Sequence, residues 1–297
     1  MPIARWAFNI RQPLLLENVK TLVTSLTDDD ENSGKVTIVP MTNLLHFLPK
    51  VECDRLLRFR VEDDMRRGLI GRLMIHAFFA AFHGCSWDKL VFSRSETNKP
   101  ILVQPEHLQS INFNVSHHGD WVVLVGETSG DKGVKLGVDC MDFQEQVPGE
   151  SFESFSACFH DQLTSKELAF MSDASVTSTN SQLRRFYRIW CLKESVVKAL
   201  GVGIDFNLKS FEFSVQEEDE TLKPILSTTV QVREATPEFS EEGWSFEEAL
   251  LDKDHCYAIA IQSEMAGCGS ISDGSEMQRL DWKTLLKDAV QIPAQFS

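Results

Sequence analysis

Two stretches of the chain are too long and too apolar to be strands. Residues 65–83, MRRGLIGRLMIHAFFAAFH, read as a helix ending at Gly84. Gly68 and Gly71 lie inside it; glycine weakens a helix, so close packing or close approach of a ligand is expected there. Residues 183–200 read as a second helix, closed by Gly201. From Phe186 to Leu200, ten of fifteen residues are apolar or aromatic, so this helix is mostly buried. Yet Lys193, Glu194 and Lys198 stand in its middle. At about 100° per residue Glu194 and Lys198 share a stripe with Trp190, while Arg188 and Ser195 point elsewhere and suit the wet side better. A plain surface ion pair between Glu194 and Lys198, worth about 0.2–0.5 kcal/mol, is one reading. A half-buried pair at a cleft is the other, and it requires a metal ion or a phosphate, because an uncompensated buried charge is costly.

The remaining pattern is mostly of strands. Residues 3–10, 36–40, 89–94, 111–117, 121–127 and 134–142 alternate or form short apolar runs, as do 210–215, 228–234, 244–251 and 256–262. Residues 163–171 look helical. Loops are expected at 27–34, 175–181 and 216–221, a linker or hairpin tip at 129–133, and a mobile Gly/Ser-rich stretch at 263–280. Each half thus holds one long apolar helix capped by glycine and several strands. The pattern predicts an α+β fold with internal duplication, divided into residues 1–128, residues 134–262 and a partly mobile extension, 263–297.

Composition narrows the class. The 297 residues are 42% hydrophobic and 25% charged, ordinary for a globular protein. No run approaches the roughly 18 apolar residues of a membrane helix, and the first twenty residues lack the apolar core of a signal peptide. Seven cysteines without a C-x-x-C pair predict a reducing compartment, with neither disulfides nor structural zinc. A cytosolic location is expected, which makes the sequon at Asn114–Ser116 a chance match. Net charge is −15 and uneven: residues 1–128 carry 14 basic and 15 acidic side chains, residues 129–297 carry 15 and 29. This excludes generic nucleic-acid binding but not a small polyanion in a local basic pocket. Six arginines between Arg55 and Arg72, set against Glu62, Asp63 and Asp64, read from composition as a solvated helix face ahead of such a pocket.

Three separated segments carry candidate chemistry. NFNVSHHGDWVVL (112–124) sets Asn114, Ser116, His117 and His118 near a strand end. GVDCMD (137–142) sets Asp139 at another. WCLKESVVKALGVG (190–203) supplies Glu194 and Lys198. Nucleotide-binding glycine loops, H-E-x-x-H and G-x-S-x-G are all absent. In this order and spacing, and with RWAF (5–8), GRLMI (71–75), FYRIWCLKESVVKALGVG (186–203) and FEEALLDKDHCYAIAI (246–261), the chain resembles the 4′-phosphopantetheinyl transferase superfamily over roughly residues 5–262. It looks most like the surfactin-synthetase-type group and its animal cytosolic members.

The resemblance implies two similar α+β halves related by pseudo-twofold symmetry, with the site in the cleft between them. It implies transfer of the 4′-phosphopantetheine of coenzyme A to a serine of an acyl or peptidyl carrier domain, such as those of fatty acid synthase, with release of 3′,5′-ADP. Asp139 and Glu194 would be the metal ligands, for Mg²⁺ or alternatively Mn²⁺. Glu194 would also take the serine proton, and Lys198 would neutralise the pyrophosphate. Arg55, the loop Arg94, Ser95, Glu96, Thr97, Asn98, Lys99, and the segment Asn114, Val115, Ser116, His117 would contact coenzyme A. No nucleic acid or membrane partner is implied, and internal duplication suggests a monomer.

The chain departs from the bacterial pattern in one respect. Those members carry D-x-E where this chain has Asp139-Cys140-Met141, so a third acidic ligand is missing. The animal-type members also lack that acid, and a Gln just after Ser-His can approach the metal; here that position is His118, a poorer Mg²⁺ ligand than oxygen, which a water would replace. A weakly active paralogue that only binds carriers or coenzyme A remains an alternative, as does an acyltransferase using coenzyme A as donor. For carrier docking, Arg184, Arg185 and Arg188 beside Phe186 and Tyr187 form a candidate patch.

Overall fold

A computed structural model describes residues 2–15, 40–130, 133–144, 151–173, 178–203, 206–216, 224–234, 236, 239–240, 242–263 and 274–292. The strand expected at 36–40 and the loop at 27–34 lie outside the described residues, except Pro40. So do most of 216–221, 264–273, and parts of 129–133 and 175–181. In chain order the strands are β1 (Ile3–Asn9), β2 (Val91–Arg94), β3 (Pro100–Gln104), β4 (Phe113–His118), β5 (Trp121–Glu127), β6 (Val134–Asp142), β7 (Phe211–Ser214), β8 (Thr229–Val232), β9 (Trp244–Leu250), β10 (His255–Ser263) and β11 (Gln278–Arg279). The helices are α1 (Lys50–Leu56), α2 (Glu62–His83), α3 (Phe152–Ala157), α4 (Ser165–Met171), α5 (Thr179–Leu200) and α6 (Trp282–Leu285). The fold is mixed α+β.

The chain divides into two compact units, each drawn from non-contiguous segments. The first comprises residues 1–5, 111–119 and 125–277; the second comprises 6–110, 120–124 and 278–297.

In the first unit, β6, β10 and β9 form an antiparallel sheet in that order, with Asp139 opposite Ala258 and Gly137 opposite Ala260. Helix α5 lies across β6 and β10. Its start is fixed by Ser178, whose hydroxyl accepts the Ser181 N–H at 3.1 Å, and its end by Gly201 in the left-handed conformation, φ 72°. Leu183, Phe186, Ile189, Leu192 and Val196 of this helix are buried in a core with Phe211, Phe213 and Phe246. Lys193 is fully buried too. Its ammonium donates to the carbonyls of Leu208 (2.7 Å) and Phe211 (2.9 Å) and pairs with Glu167 at 3.0 Å. Glu167 in turn closes a capping box with Thr164 at the start of α4. The segment after α5 is thereby tied to α4 through one buried charge.

In the second unit α2 is the central element. It runs from three acidic residues to Gly84, φ 62°, and buries Leu69, Ile70, Leu73, Met74, Phe78 and Phe79. Close packing explains Gly68, where an added Cβ would come within 2.9 Å of Leu56 and 3.2 Å of Phe59. β2 and β3 form a hairpin. β1 pairs in parallel with β11, Trp6 opposite Gln278, and Phe8 meets Trp282 of α6 edge to face at 4.7 Å. Elements thus occupy part of the stretch beyond 262 for which the sequence pattern predicts none.

Candidate active site

The first unit brings Asp139, Ser116, Lys198 and Glu194 into one neighbourhood, and the reason begins with a glycine. Side chains two apart on a strand share a face, so Gly137 and Asp139 of β6 both look towards α5. A Cβ on Gly137 would lie 1.9 Å from the Ser195 carbonyl oxygen and 2.4 Å from the Ala199 nitrogen. Only glycine lets the helix backbone settle this close. One turn on, Lys198 reaches Asp139: its ammonium donates to Asp139 Oδ1 at 2.5 Å and to Ser116 Oγ at 2.6 Å. Ser116 Oγ donates to Asp139 Oδ1 at 2.7 Å. Asp139 is nearly enclosed, with its side chain 6% exposed against 28% for Lys198.

Glu194 stands one turn before Lys198. Burial raises its pKa, and the neighbouring Asp139 charge raises it further against the pull of Lys198. Among the described residues its carboxylate has no hydrogen bond or ion pair. Burial lowers the Lys198 pKa, but Asp139, by charge and hydrogen bond, outweighs it, so the ammonium is held more firmly than usual. The simple surface pair between Glu194 and Lys198 is therefore overturned: the lysine belongs to Asp139.

The wet side is also not where the period suggests. Arg188 and Ser195 are buried, whereas Trp190, Glu194 and Lys198 are half-buried. Arg188 is compensated by Glu248 at 2.9 Å and Ser195 donates to the Leu192 carbonyl at 2.7 Å. Helical period alone cannot see that the sheet covers the Ser195 side. The docking patch fails for the same reason. Arg185, Phe186, Tyr187 and Arg188 are buried, and Arg184 spans the Phe143 ring at 4.6 Å and donates to the Lys253 carbonyl.

Residues of β4 divide by face. Asn114 is buried and its Oδ1 accepts the Val138 N–H at 3.0 Å, which ties β4 to β6 next to Asp139. Val115 is half-buried and His117 exposed. His118 Nδ1 accepts the Asp142 N–H at 2.7 Å, so that nitrogen is already engaged. Met141 packs against the core. Met141 has no oxygen to offer a metal ion in place of the absent acid, and His118 has one ring nitrogen already engaged.

The donors that remain are Asp139 and Glu194. Asp139 Oδ2 is buried without a hydrogen-bond partner, and such an atom calls for one. Among the described residues no group of three or more His, Cys, Asp or Glu could hold a metal ion. Two carboxylates suit Mg²⁺, which takes one or two of them and completes its shell with water and phosphate oxygens. Glu194 also forms one wall of a cavity lined by Phe159, Gln162, Trp190, Val197 and Phe206.

The coenzyme-binding candidates at 55 and 94–99 lie in the second unit. Residues 95–99 form the turn of the β2–β3 hairpin, with Asn98 at φ 64°, the Ser95 N–H bonded to the Lys99 carbonyl at 2.9 Å, and Ser95 Oγ sharing a hydrogen with Thr97 Oγ1 at 3.0 Å. Glu96 is exposed, and burial lowers the Lys99 pKa. Arg94 donates to the Asn98 carbonyl at 2.8 Å. Arg55 and Arg94 line a pocket with Arg72, Glu52 and His76. Burial lowers the pKa of Arg72, and the nearby Arg94 and Arg55 add to it against Glu52. Three guanidinium groups against one carboxylate leave the pocket with an excess of positive charge, which suits an anion. Arg72 and Glu52 were not among the sequence candidates; a single arginine inside the apolar run 68–79 was the available signal.

Known proteins resemble the chain along most of its length. A family model described as 4′-phosphopantetheinyl transferase, N-terminal, matches residues 38–129, and one described as 4′-phosphopantetheinyl transferase superfamily matches residues 135–260. A phosphopantetheinyl transferase of Thraustochytrium sp. is 30% identical over 80% of this chain and 76% of its own length. L-Aminoadipate-semialdehyde dehydrogenase-phosphopantetheinyl transferase of Xenopus laevis is 33% identical over 81% and 78%, and that of Homo sapiens 31% over 81% and 78%.

Proposed function

We propose, for a chain that belongs to the 4′-phosphopantetheinyl transferase superfamily, that Glu194, Lys198 and Asp139 carry the reaction of that superfamily. The protein transfers the phosphopantetheine of coenzyme A to a serine of a carrier protein. The serine oxygen attacks the β-phosphorus, and the bond to 3′,5′-ADP breaks. Phosphoryl transfer needs positioning and charge neutralisation more than covalent help. Glu194, without a hydrogen bond or ion pair among the described residues and with its pKa raised, is suited to accept the serine proton. Lys198, fixed by Asp139 and Ser116, supplies a positive charge that stays put as the pyrophosphate gains negative charge.

Asp139, through its unbonded Oδ2, and Glu194 would hold Mg²⁺, with Mn²⁺ as an alternative. When bound, the ion would neutralise the pyrophosphate oxygens. Asn114 and Ser116 act on this reading through Asp139 and the β6 backbone, while Arg55, Arg94 and the 95–99 turn receive coenzyme A phosphate in the second unit. The six described cysteines are free, which supports a cytosolic site of action, and we propose a monomer.

The observation that carries this reading is the pair of carboxylates beside Lys198: Asp139, buried with one oxygen unbonded, and the half-buried Glu194, which has no hydrogen bond or ion pair among the described residues. Incubation of an apo carrier domain with the protein, coenzyme A and Mg²⁺ should add one phosphopantetheine to the intact mass of the carrier. EDTA or Glu194→Gln should abolish the gain, cutting the rate by at least about 100-fold. A carrier modified at full rate by Glu194→Gln would remove Glu194 from the chemistry.

A further inference from the structure

Residues 57–61, which join α1 to α2, are all exposed, and large apolar side chains alternate there with arginines. Leu57, Phe59 and Val61 are 61%, 45% and 55% exposed, although side chains of this size gain by leaving water. Arg58 and Arg60 stand between them. The acids on either side are already taken: Asp54 pairs with Lys50 at 2.7 Å, Glu62 with Arg66 at 2.5 Å, Asp63 with Arg11 at 2.8 Å and Asp64 with Arg67 at 2.6 Å. Among the described residues neither Arg58 nor Arg60 has a side-chain hydrogen bond or an ion pair. The segment therefore presents two uncompensated guanidinium groups framed by three exposed apolar side chains. From residue 51 to residue 72 the chain has six arginines and no lysine. Arginine with phenylalanine, and without lysine, is the composition of protein interfaces, where the planar guanidinium can take a carboxylate through two parallel hydrogen bonds. A nucleic acid would meet the field of a chain with net charge −15, and a membrane surface attracts lysine as readily as arginine.

We infer that residues 57–61 form a docking surface for the carrier protein, its apolar side chains covering Leu57, Phe59 and Val61 and its carboxylates pairing with Arg58 and Arg60. The inference rests on the transferase reading, which supplies a protein partner. It takes the place of the patch around Arg184 and Arg188, whose side chains are spent within the fold. Arg55, three residues before Arg58, receives coenzyme A phosphate on that reading, so the surface continues from one of the coenzyme's own contacts in the second unit. Arg58 and Arg60 touch no reacting atom. They steer association and set which carriers are accepted.

The test measures steady-state transfer to an apo acyl carrier domain by the full chain. The double variant Arg58→Glu, Arg60→Glu should raise KM for the carrier about tenfold or more, within the roughly 10- to 1,000-fold range by which surface fields alter association. Its kcat and its KM for coenzyme A should stay unchanged. Added salt should raise the carrier KM of the unmodified protein and narrow its gap from the variant. Leu57→Ser should raise the carrier KM and leave its salt dependence intact. All three side chains are exposed, so the variants should keep the melting temperature of the unmodified protein. An unchanged carrier KM in the double variant would overturn the assignment while transfer by the unmodified protein persisted. So would a raised KM for coenzyme A alone, which would give the arginines to the coenzyme. Binding of the unmodified protein to phosphatidylserine vesicles, lost in the double variant at unaltered carrier KM, would overturn it in favour of a membrane. Failure of the folded, unmodified protein to modify any carrier would remove the transferase premise and the inference with it.

Discussion

Glu194 shows how a single side chain can serve function at the expense of stability. Its pKa is raised in the folded state, first by burial and then by Asp139. A carboxyl that holds its proton more tightly when folded penalises folding once the pH exceeds its unfolded value, and the penalty is complete above the folded value. Glu194→Gln should therefore raise the melting temperature of the metal-free protein at neutral pH. The difference from the unaltered protein should shrink as the pH falls below the ordinary glutamate range. Thermal scans in EDTA from pH 4 to pH 8 would check this; a variant less stable at every pH would contradict the sign. The transfer rate should rise with pH through the same displaced titration. Within the W-x-x-K-E-S-x-x-K-A motif, Asp139's partners and the structural residues are interleaved. The charges at Glu194 and Lys198 stood out in an apolar helix, but sequence offered no means of seeing that Lys198 pairs with Asp139, that Lys193 is locked under Leu208 and Phe211 or that Ser195 abuts β6. Those roles depend on what covers each face.

At the scale of elements, the contact between α5 and β6 sets the geometry of the site. Gly137→Ala would force a methyl group into the Ser195 carbonyl and must displace one backbone. Overpacking of this kind costs about 1–3 kcal/mol, readable as a lower urea midpoint, and the shift should also lengthen the Asp139–Lys198 contact and reduce turnover. An alanine variant with unchanged stability and activity would mean that the helix can slide. The long elements were legible in advance. Both glycine-capped helices and strands β4, β5, β6, β9 and β10 fall within a few residues of the pattern, because each repeats its period often enough to register. The pattern also shows β2, β7 and β8, four residues each, because apolar and polar positions alternate there, whereas it does not show α1, α3, β3, β11 and α6. Tertiary contacts, not local preference, hold them.

For the molecule as a whole, the units are interleaved rather than consecutive. Residues 1–5 belong with the first unit, where Arg5 forms two hydrogen bonds to Glu247, at 2.7 and 2.6 Å, wholly buried. Removing one partner of a buried pair costs about 3–5 kcal/mol, so Arg5→Ala should be far more damaging than its place near the chain start suggests, with a matching fall in the urea midpoint. A chain ending at residue 277 should lose the second unit's cooperative unfolding, since Phe8 would lose Trp282 and β1 one of its two neighbours, keeping only β5. Retention of a single sharp transition would show these contacts to be dispensable. No composition or period in the sequence announces such weaving, because it arises from pairings between residues hundreds of positions apart.

The pairing of β1 with β11 has a consequence for how the protein is made. Trp6 and its hydrogen-bond partner Gln278 are 272 positions apart. At about 5–20 residues per second of synthesis, β1 leaves the ribosome on the order of 10–60 s before the strand that completes its edge. An open edge is a template for pairing with other chains. The nascent protein therefore passes most of its synthesis with one edge of its first strand open, the other edge being the one that β5 covers.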